Sequence, residues 1–189
     1  MVRSTLLAAA AATLRERMLI ASHSGYPVAM MDFPDKLGAM SAAAAAFGEN
    51  GVAFALIGGL AVGIRTGVPR ATLDVDFAIP TTVDRTWLVD RLAERGFRWK
   101  GTFAHSVNLE HESGEPVQLA FDAEFDPMIA RAEIVPYGDI QIAVVTKQDL
   151  IIMKRRAAAD PARRRSKALR DQADIALLEG DVPGPDEGW

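Results

Sequence analysis

Phe54 to Pro80 reads F-A-L-I-G-G-L-A-V-G-I-R-T-G-V-P-R-A-T-L-D-V-D-F-A-I-P. The apolar run Val52 to Ile57 ends on Gly58-Gly59, a small-residue segment follows from Leu60 to Thr66, and Gly67-Val68-Pro69 turns the chain into a second apolar run. This order predicts strand, glycine turn, helix, loop, strand. Side chains alternate faces along a strand. Leu73, Val75, Phe77 and Ile79 are therefore expected on the core face, with Asp74 and Asp76 together on the other. Two carboxylates so placed repel unless a cation sits between them, and Mg²⁺ is typically held by one or two carboxylates plus substrate phosphates. Taken alone, the acidic pair equally describes a solvated edge strand.

The glycines shift that balance. A Gly-Gly step after a buried strand lets backbone approach a ligand with no Cβ in the way. The N–H groups opening the next helix favour an anion. One loop would then hold phosphates and the next strand the metal that bridges them.

The run G-G-L-A-V-G-I-R-T-G-V-P-R-A-T-L-D-V-D-F resembles the nucleotidyltransferase fold of the polymerase-β superfamily, and within it the AbiEii-type nucleotidyltransferases, which include toxins of toxin–antitoxin systems. The family's G-G, Arg-x-Thr and D-x-D elements stand here as Gly58-Gly59, Arg70 with Thr72, and Asp74 with Asp76. Thr146, the Asp149-Leu150 pair and Lys154 follow the family's later strand–cap–helix pattern, and Arg170-Asp171-x-x-Asp174-Ile175 its closing helix. The resemblance covers residues 32 to 178 and implies an α/β (α+β) fold: a mixed β-sheet nucleotidyltransferase core flanked by helices. The expected organisation is a helical N-terminal extension over 1–30, the nucleotidyltransferase-like domain over 31–180 and a loose tail over 181–189.

The resemblance further implies an enzyme that moves a nucleotidyl group from an NTP to an RNA (tRNA-like) or protein acceptor, with Mg²⁺ as cofactor and an antitoxin as a further partner. Asp74 and Asp76 are the metal ligands and, with Asp122, the catalytic set. Gly58, Gly59, Arg65, Arg70, Thr72 and Lys154 are the nucleotide-binding set. Relatives usually carry a third acid on a later strand, and here that position holds Gln118. Asp122 shares its face, roughly 13 Å further along a regular strand. Either Asp122 takes the role or the third acid is missing, and the second case favours a nucleotide- or partner-binding module without turnover. A metal-dependent phosphate-ester hydrolase fits the motif order less well.

Composition bounds these readings. The 189 residues suit one domain with additions, and 49% hydrophobic residues suffice for a core. The net charge of −4 hides an asymmetry: the segment from Lys154 to Arg170 carries eight bases and one acid. That segment reads as a seat for an RNA end or as a solvated helix–loop–helix; no aromatic residues interleave to stack bases. With no cysteine, disulfides and thiolate sites are excluded, and the three histidines are too scattered to suggest zinc. No apolar run reaches the roughly 18 residues of a membrane span, so the protein is expected in the cytoplasm with no membrane partner.

Remaining elements follow from periodicity. Helices are expected over Asp32–Phe47, from a Thr82 cap with Trp87, Leu88 and Leu92 as its stripe, and from a Thr146 cap. Strands are expected over 97–99, over 102–110 with Phe103 and Val107 inward, over Pro116–Phe125, and as a pair around Tyr137-Gly138. Ala173, Leu177 and Leu178 should pack inward from the last helix. Asp171 and Asp174 are read as anchors for Lys154 or Arg170 rather than as metal ligands.

Overall fold

A computed structural model describes residues 35–137 and 140–182. The expected extension over 1–30, the first residues of the helix predicted from Asp32, and the tail beyond 182 lie outside the described residues. The described chain builds one mixed sheet of seven strands with six helices.

The chain opens with α1 (Lys36–Glu49), capped by Asp35, whose side chain accepts from the Gly38 N–H. β1 (Ala55–Ile57) is buried throughout and runs directly into α2 (Gly58–Thr66), which ends on Gly67 in the left-handed region. β2 (Val75–Ala78) pairs antiparallel with β1, and Ile57 stands opposite Asp76. α3 (Arg85–Ala93) leads to the meander β3 (Phe97–Thr102), β4 (Ser106–His111) and β5 (Pro116–Ala120). The short α4 (Asp126–Ala130) precedes the antiparallel pair β6 (Glu133–Tyr137) and β7 (Ile140–Val144). α5 (Lys147–Ala159) and α6 (Arg165–Glu179) close the described chain.

The strand order is β3-β4-β5-β2-β1-β7-β6. β2 lies parallel to β5 and β1 parallel to β7, while the other neighbours are antiparallel. The two parallel contacts set β1 and β2 in the middle of the sheet, so the Gly58 turn and the D-x-D run come from its centre.

The core forms on the Phe77 face. The Phe77 ring meets Phe47 of α1 edge-on at 5.3 Å, and Phe47 meets Phe54 at 4.9 Å. Leu88 and Leu92 of α3, Val117 and Leu119 of β5, and Val75 and Ile79 are also buried there. α2, α5 and α6 pack on one another. They gather where the opposite face of β2, carrying Asp76, looks out.

Several local expectations are corrected. Leu73 is 76% exposed rather than in the core, because β2 begins only at Val75 and Leu73 still lies in the preceding loop. Phe103 is also exposed, one residue past the end of β3. Asp84, not Thr82, caps α3, accepting from the Trp87 N–H at 2.8 Å; an ionised carboxylate is the stronger acceptor for a helix N-terminus. On α6 Leu178 is buried, but Ala173 faces solvent. Thr146 does cap α5, donating its hydroxyl to Asp149 at 2.8 Å and accepting from the Asp149 N–H. Among the described residues, no helix is long and apolar enough to cross a membrane.

Candidate active site

Gly58 sits at the junction of β1 and α2 with φ of +72°, a conformation that L side chains rarely adopt. A Cβ there would collide with the Asp76 carboxylate. Gly59 is almost as confined: its Cβ would lie 3.0 Å from the Cβ of Thr72. Thr72 in turn donates to the Asp74 carboxylate at 3.2 Å. The Gly-Gly step, the Arg-x-Thr loop and the two aspartates thus form one continuous packing unit.

These residues line a cavity of about 1000 Å³ between the centre of the sheet and the α2–α5–α6 cluster, room enough for a nucleotide and part of a second substrate. Gly58, Gly59, Arg70, Thr72, Asp74, Asp76 and Lys154 all line it. Burial first, and then the charge of Asp74, raises the Asp76 carboxyl to about 7; Lys154, Lys167 and Lys36 pull it back only in part. A buried carboxylate that feels the charge of a second one would suit a hard divalent cation, which would relieve both penalties. Among the described residues no group of three or more acidic or histidine side chains is arranged to hold a metal. Asp74 and Asp76 are the two carboxylates that the D-x-D run brings to the cavity.

Gln118 stands directly beside Asp76 in the parallel β2–β5 register. Its amide donates to Asn108 Oδ1 at 3.2 Å, which ties it to the next strand. Asp122 is not brought to the cavity. β5 ends at Ala120, and the Asp122 carboxylate turns back to accept from the Glu124 N–H at 3.1 Å, with His105 3.7 Å away. The regular strand that would have pointed Asp122 inward stops two residues too early.

Arg65 also lies outside the cavity lining. Its Nε donates to the Val145 carbonyl at 2.8 Å, its second terminal nitrogen to Val144 at 2.7 Å, and its third N–H group pairs with Glu133 at 2.6 Å. All three sides of the guanidinium are spent clamping α2 onto β7 and β6. Arg70 and Lys154 face the cavity but are already engaged. Arg70 pairs with Asp174, and Lys154 bridges Asp171 at 3.0 Å and Asp174 at 2.9 Å. Arg163 completes the cluster on Asp171 at 2.5 Å. Burial works to raise the Asp171 carboxyl, yet hydrogen bonds from Arg163 and Lys154 hold it below the ordinary carboxylate range. The expectation that Asp171 and Asp174 anchor Lys154 holds; Arg170 instead donates to the Ser166 carbonyl.

Sequence reading missed Lys36, which pairs with the fully buried Glu115 and donates to the Leu73 carbonyl at 3.2 Å. This contact ties the start of α1 to the loop carrying Asp74. It also missed Arg131 as the partner of Asp149, which is buried at the start of α5. Burial opposes its ionisation, and Arg131 together with the Thr146 hydroxyl more than compensates. No local signal announces either pair, since the partners are far apart in sequence.

The family model described as the nucleotidyl transferase AbiEii toxin of a type IV toxin–antitoxin system matches residues 42–187. The chain belongs to the AbiEii nucleotidyl transferase family. Solved structures with the same fold include the antibiotic-resistance factor ANT(2'')-Ia, at 18% identity and a TM-score of 0.55 over 76% of this chain and 83% of that one. The lincosamide antibiotic adenylyltransferase LnuA matches at 16% identity and a TM-score of 0.52 over 72% of this chain and 91% of that one. An antigenic nucleotidyltransferase-like protein from Paracoccidioides brasiliensis matches at 20% identity and a TM-score of 0.54 over 82% of this chain and 81% of that one. No curated protein matches the chain significantly. These structures share the polymerase-β-like nucleotidyltransferase fold with this AbiEii-family chain, and its centre carries the glycine turn and the acidic pair.

Proposed function

We propose that this AbiEii-family chain is a Mg²⁺-dependent nucleotidyltransferase that moves a nucleotidyl group from an NTP to a hydroxyl of an RNA or protein acceptor. The observation that carries this reading is the packing of Asp76 against Gly58 in a cavity that Asp74 also lines. Asp74 and Asp76 would hold the divalent cation, and Thr72 would fix the rotamer of Asp74 through their hydrogen bond. When bound, that cation supplies charge neutralisation at the phosphate oxygens. Gly58 and Gly59 let the Asp76 carboxylate and Thr72 pack against the start of α2, whose backbone N–H groups would favour phosphate. The acceptor oxygen forms a bond to the α-phosphorus, and the bond from that phosphorus to the bridging oxygen breaks, releasing pyrophosphate. Of the other acids lining the cavity, Glu115, Asp171 and Asp174 are held by cations and Asp35 caps α1. The acceptor proton therefore passes to Asp74, Asp76 or water.

The test is transfer of label from each α-labelled NTP to total RNA and to protein in the presence of Mg²⁺. Wild-type chain should transfer label and release pyrophosphate, and Asp76→Ala should abolish both. Equal label from the two proteins overturns the reading. A second reading, a nucleotide- or antitoxin-binding module without turnover, is favoured by Gln118 at the register position beside Asp76. Nucleotide binding with no pyrophosphate release from any acceptor would select it.

A further inference from the structure

The charges lining the cavity divide into satisfied pairs and two unsatisfied groups. Lys36 is matched by Glu115, and Arg70, Lys154 and Arg163 share Asp171 and Asp174. On the sheet wall, Asp74 and Asp76 are left with no cation in contact among the described residues. On the opposite wall, Arg164, Lys167 and Arg170 line the cavity with no acidic partner among the described residues. Lys167 and Arg170, three residues apart, share one face of α6, and Arg164 stands at the cap position just before the helix begins. Asp171 and Asp174 continue that same face. Outside the cavity lining, Arg155 pairs with Glu179 and Arg156 with Glu124, whereas Arg165 has no acidic partner among the described residues.

We propose that Arg164, Lys167 and Arg170 form a polyphosphate subsite that takes the β- and γ-phosphates of the nucleotide while its α-phosphate lies at Asp74 and Asp76. This rests on the nucleotidyltransferase reading and reassigns the phosphate cations, since Arg65 is spent on carbonyls and Arg70 and Lys154 on buried acids. A triphosphate remains anionic after one divalent cation has bound, so it needs cations facing the metal from the far side. Lys167 is central because it lines the cavity together with Asp76 and lies between Arg164 and Arg170 in the chain. No aromatic side chain stands on this helix face to stack a base, which favours a phosphate chain over single-stranded nucleic acid.

The experiment is calorimetric titration of the full chain with inorganic tripolyphosphate and Mg²⁺, repeated for Lys167→Ala, Lys167→Arg and the off-site control Arg155→Ala. Lys167→Ala should bind about tenfold more weakly, Lys167→Arg should recover most of the loss, and Arg155→Ala should bind like wild type. Wild-type chain that does not bind tripolyphosphate, or Lys167→Ala that binds it undiminished, overturns the subsite. A loss in Lys167→Ala confined to a single-stranded oligonucleotide, with tripolyphosphate unaffected, also overturns it in favour of an acceptor backbone. Lys167-dependent tripolyphosphate binding without label transfer from any NTP would leave the subsite standing and sink the transfer reading instead.

Discussion

The Asp76 carboxylate rests against the α-carbon of Gly58, occupying the space that any other residue would need for its Cβ. The glycine thereby sets both the backbone turn into α2 and the position of the acidic side chain. Gly58→Ala should cost about 1–2 kcal/mol from the positive φ alone. It should also displace Asp76, so Mn²⁺ binding followed by electron paramagnetic resonance should weaken together with the denaturation midpoint. Unchanged Mn²⁺ affinity in a folded Gly58→Ala protein would contradict the contact.

Asp76 makes the metal-free protein sensitive to pH. Its carboxyl titrates near 7 when folded and near the ordinary 3.8 when unfolded. Between those values the folded state holds a proton that the unfolded state has lost, so stability falls as pH rises through this window. The full difference is at most about 4 kcal/mol. Asp76→Asn should therefore be more stable than wild type at pH 8 without metal, and the gap should close near pH 4. Mg²⁺ should raise the melting temperature of wild type at pH 8 and leave Asp76→Asn unmoved.

Arg65 is expected to matter for stability and not for nucleotide. Arg65→Lys keeps the charge but cannot reach the Val144 and Val145 carbonyls and Glu133 together. It should lose about 2 kcal/mol in denaturant titration, with KM for the NTP unchanged. A raised KM with unaltered stability would return Arg65 to the phosphate site.

The Gln118 position can be separated from Asp122 by two substitutions. Gln118→Asp sets a third carboxylate beside Asp76, and it should tighten Mn²⁺ binding by about tenfold while lowering metal-free stability at pH 8 through like-charge repulsion. Asp122→Ala, remote from the cavity, should leave label transfer within about twofold of wild type. Collapse of transfer in Asp122→Ala would restore it as the third acid.

Asp174 holds two cations at once, and its side chain is almost fully buried. Asp174→Asn should cost about 3 kcal/mol because Arg70 and Lys154 lose a shared counter-charge. Thermal denaturation at neutral pH measures it, and a change within about 0.5 kcal/mol would mark the cluster as dispensable.

The central strands, the glycine turn and the acidic pair could be read directly because each depends on neighbours in sequence. Alternation placed Val75 and Phe77 opposite Asp76, and the glycine doublet, which alone describes a tight turn, took its meaning from the acidic pair that follows it. Where the strand began was less accessible. Leu73 obeys the same alternation yet stays in solvent, because the loop from Arg70 to Asp74 is shaped by Thr72, Lys36 and Gly59 rather than by its own polarity.

Sequence by itself determined the strand–turn–helix–strand unit, the D-x-D motif and the family, since short-range periodicity and motif spacing survive in one dimension. Only the tertiary structure decided which charges are spent and which remain. Arg65 reaches carbonyls 79 and 80 residues further along the chain, Asp122 falls past the end of its strand, and Lys167 comes to line the same cavity as Asp76 through the packing of α6. Charge pairing is a property of distance in space, and distances across a folded sheet are set by contacts between residues far apart in the chain.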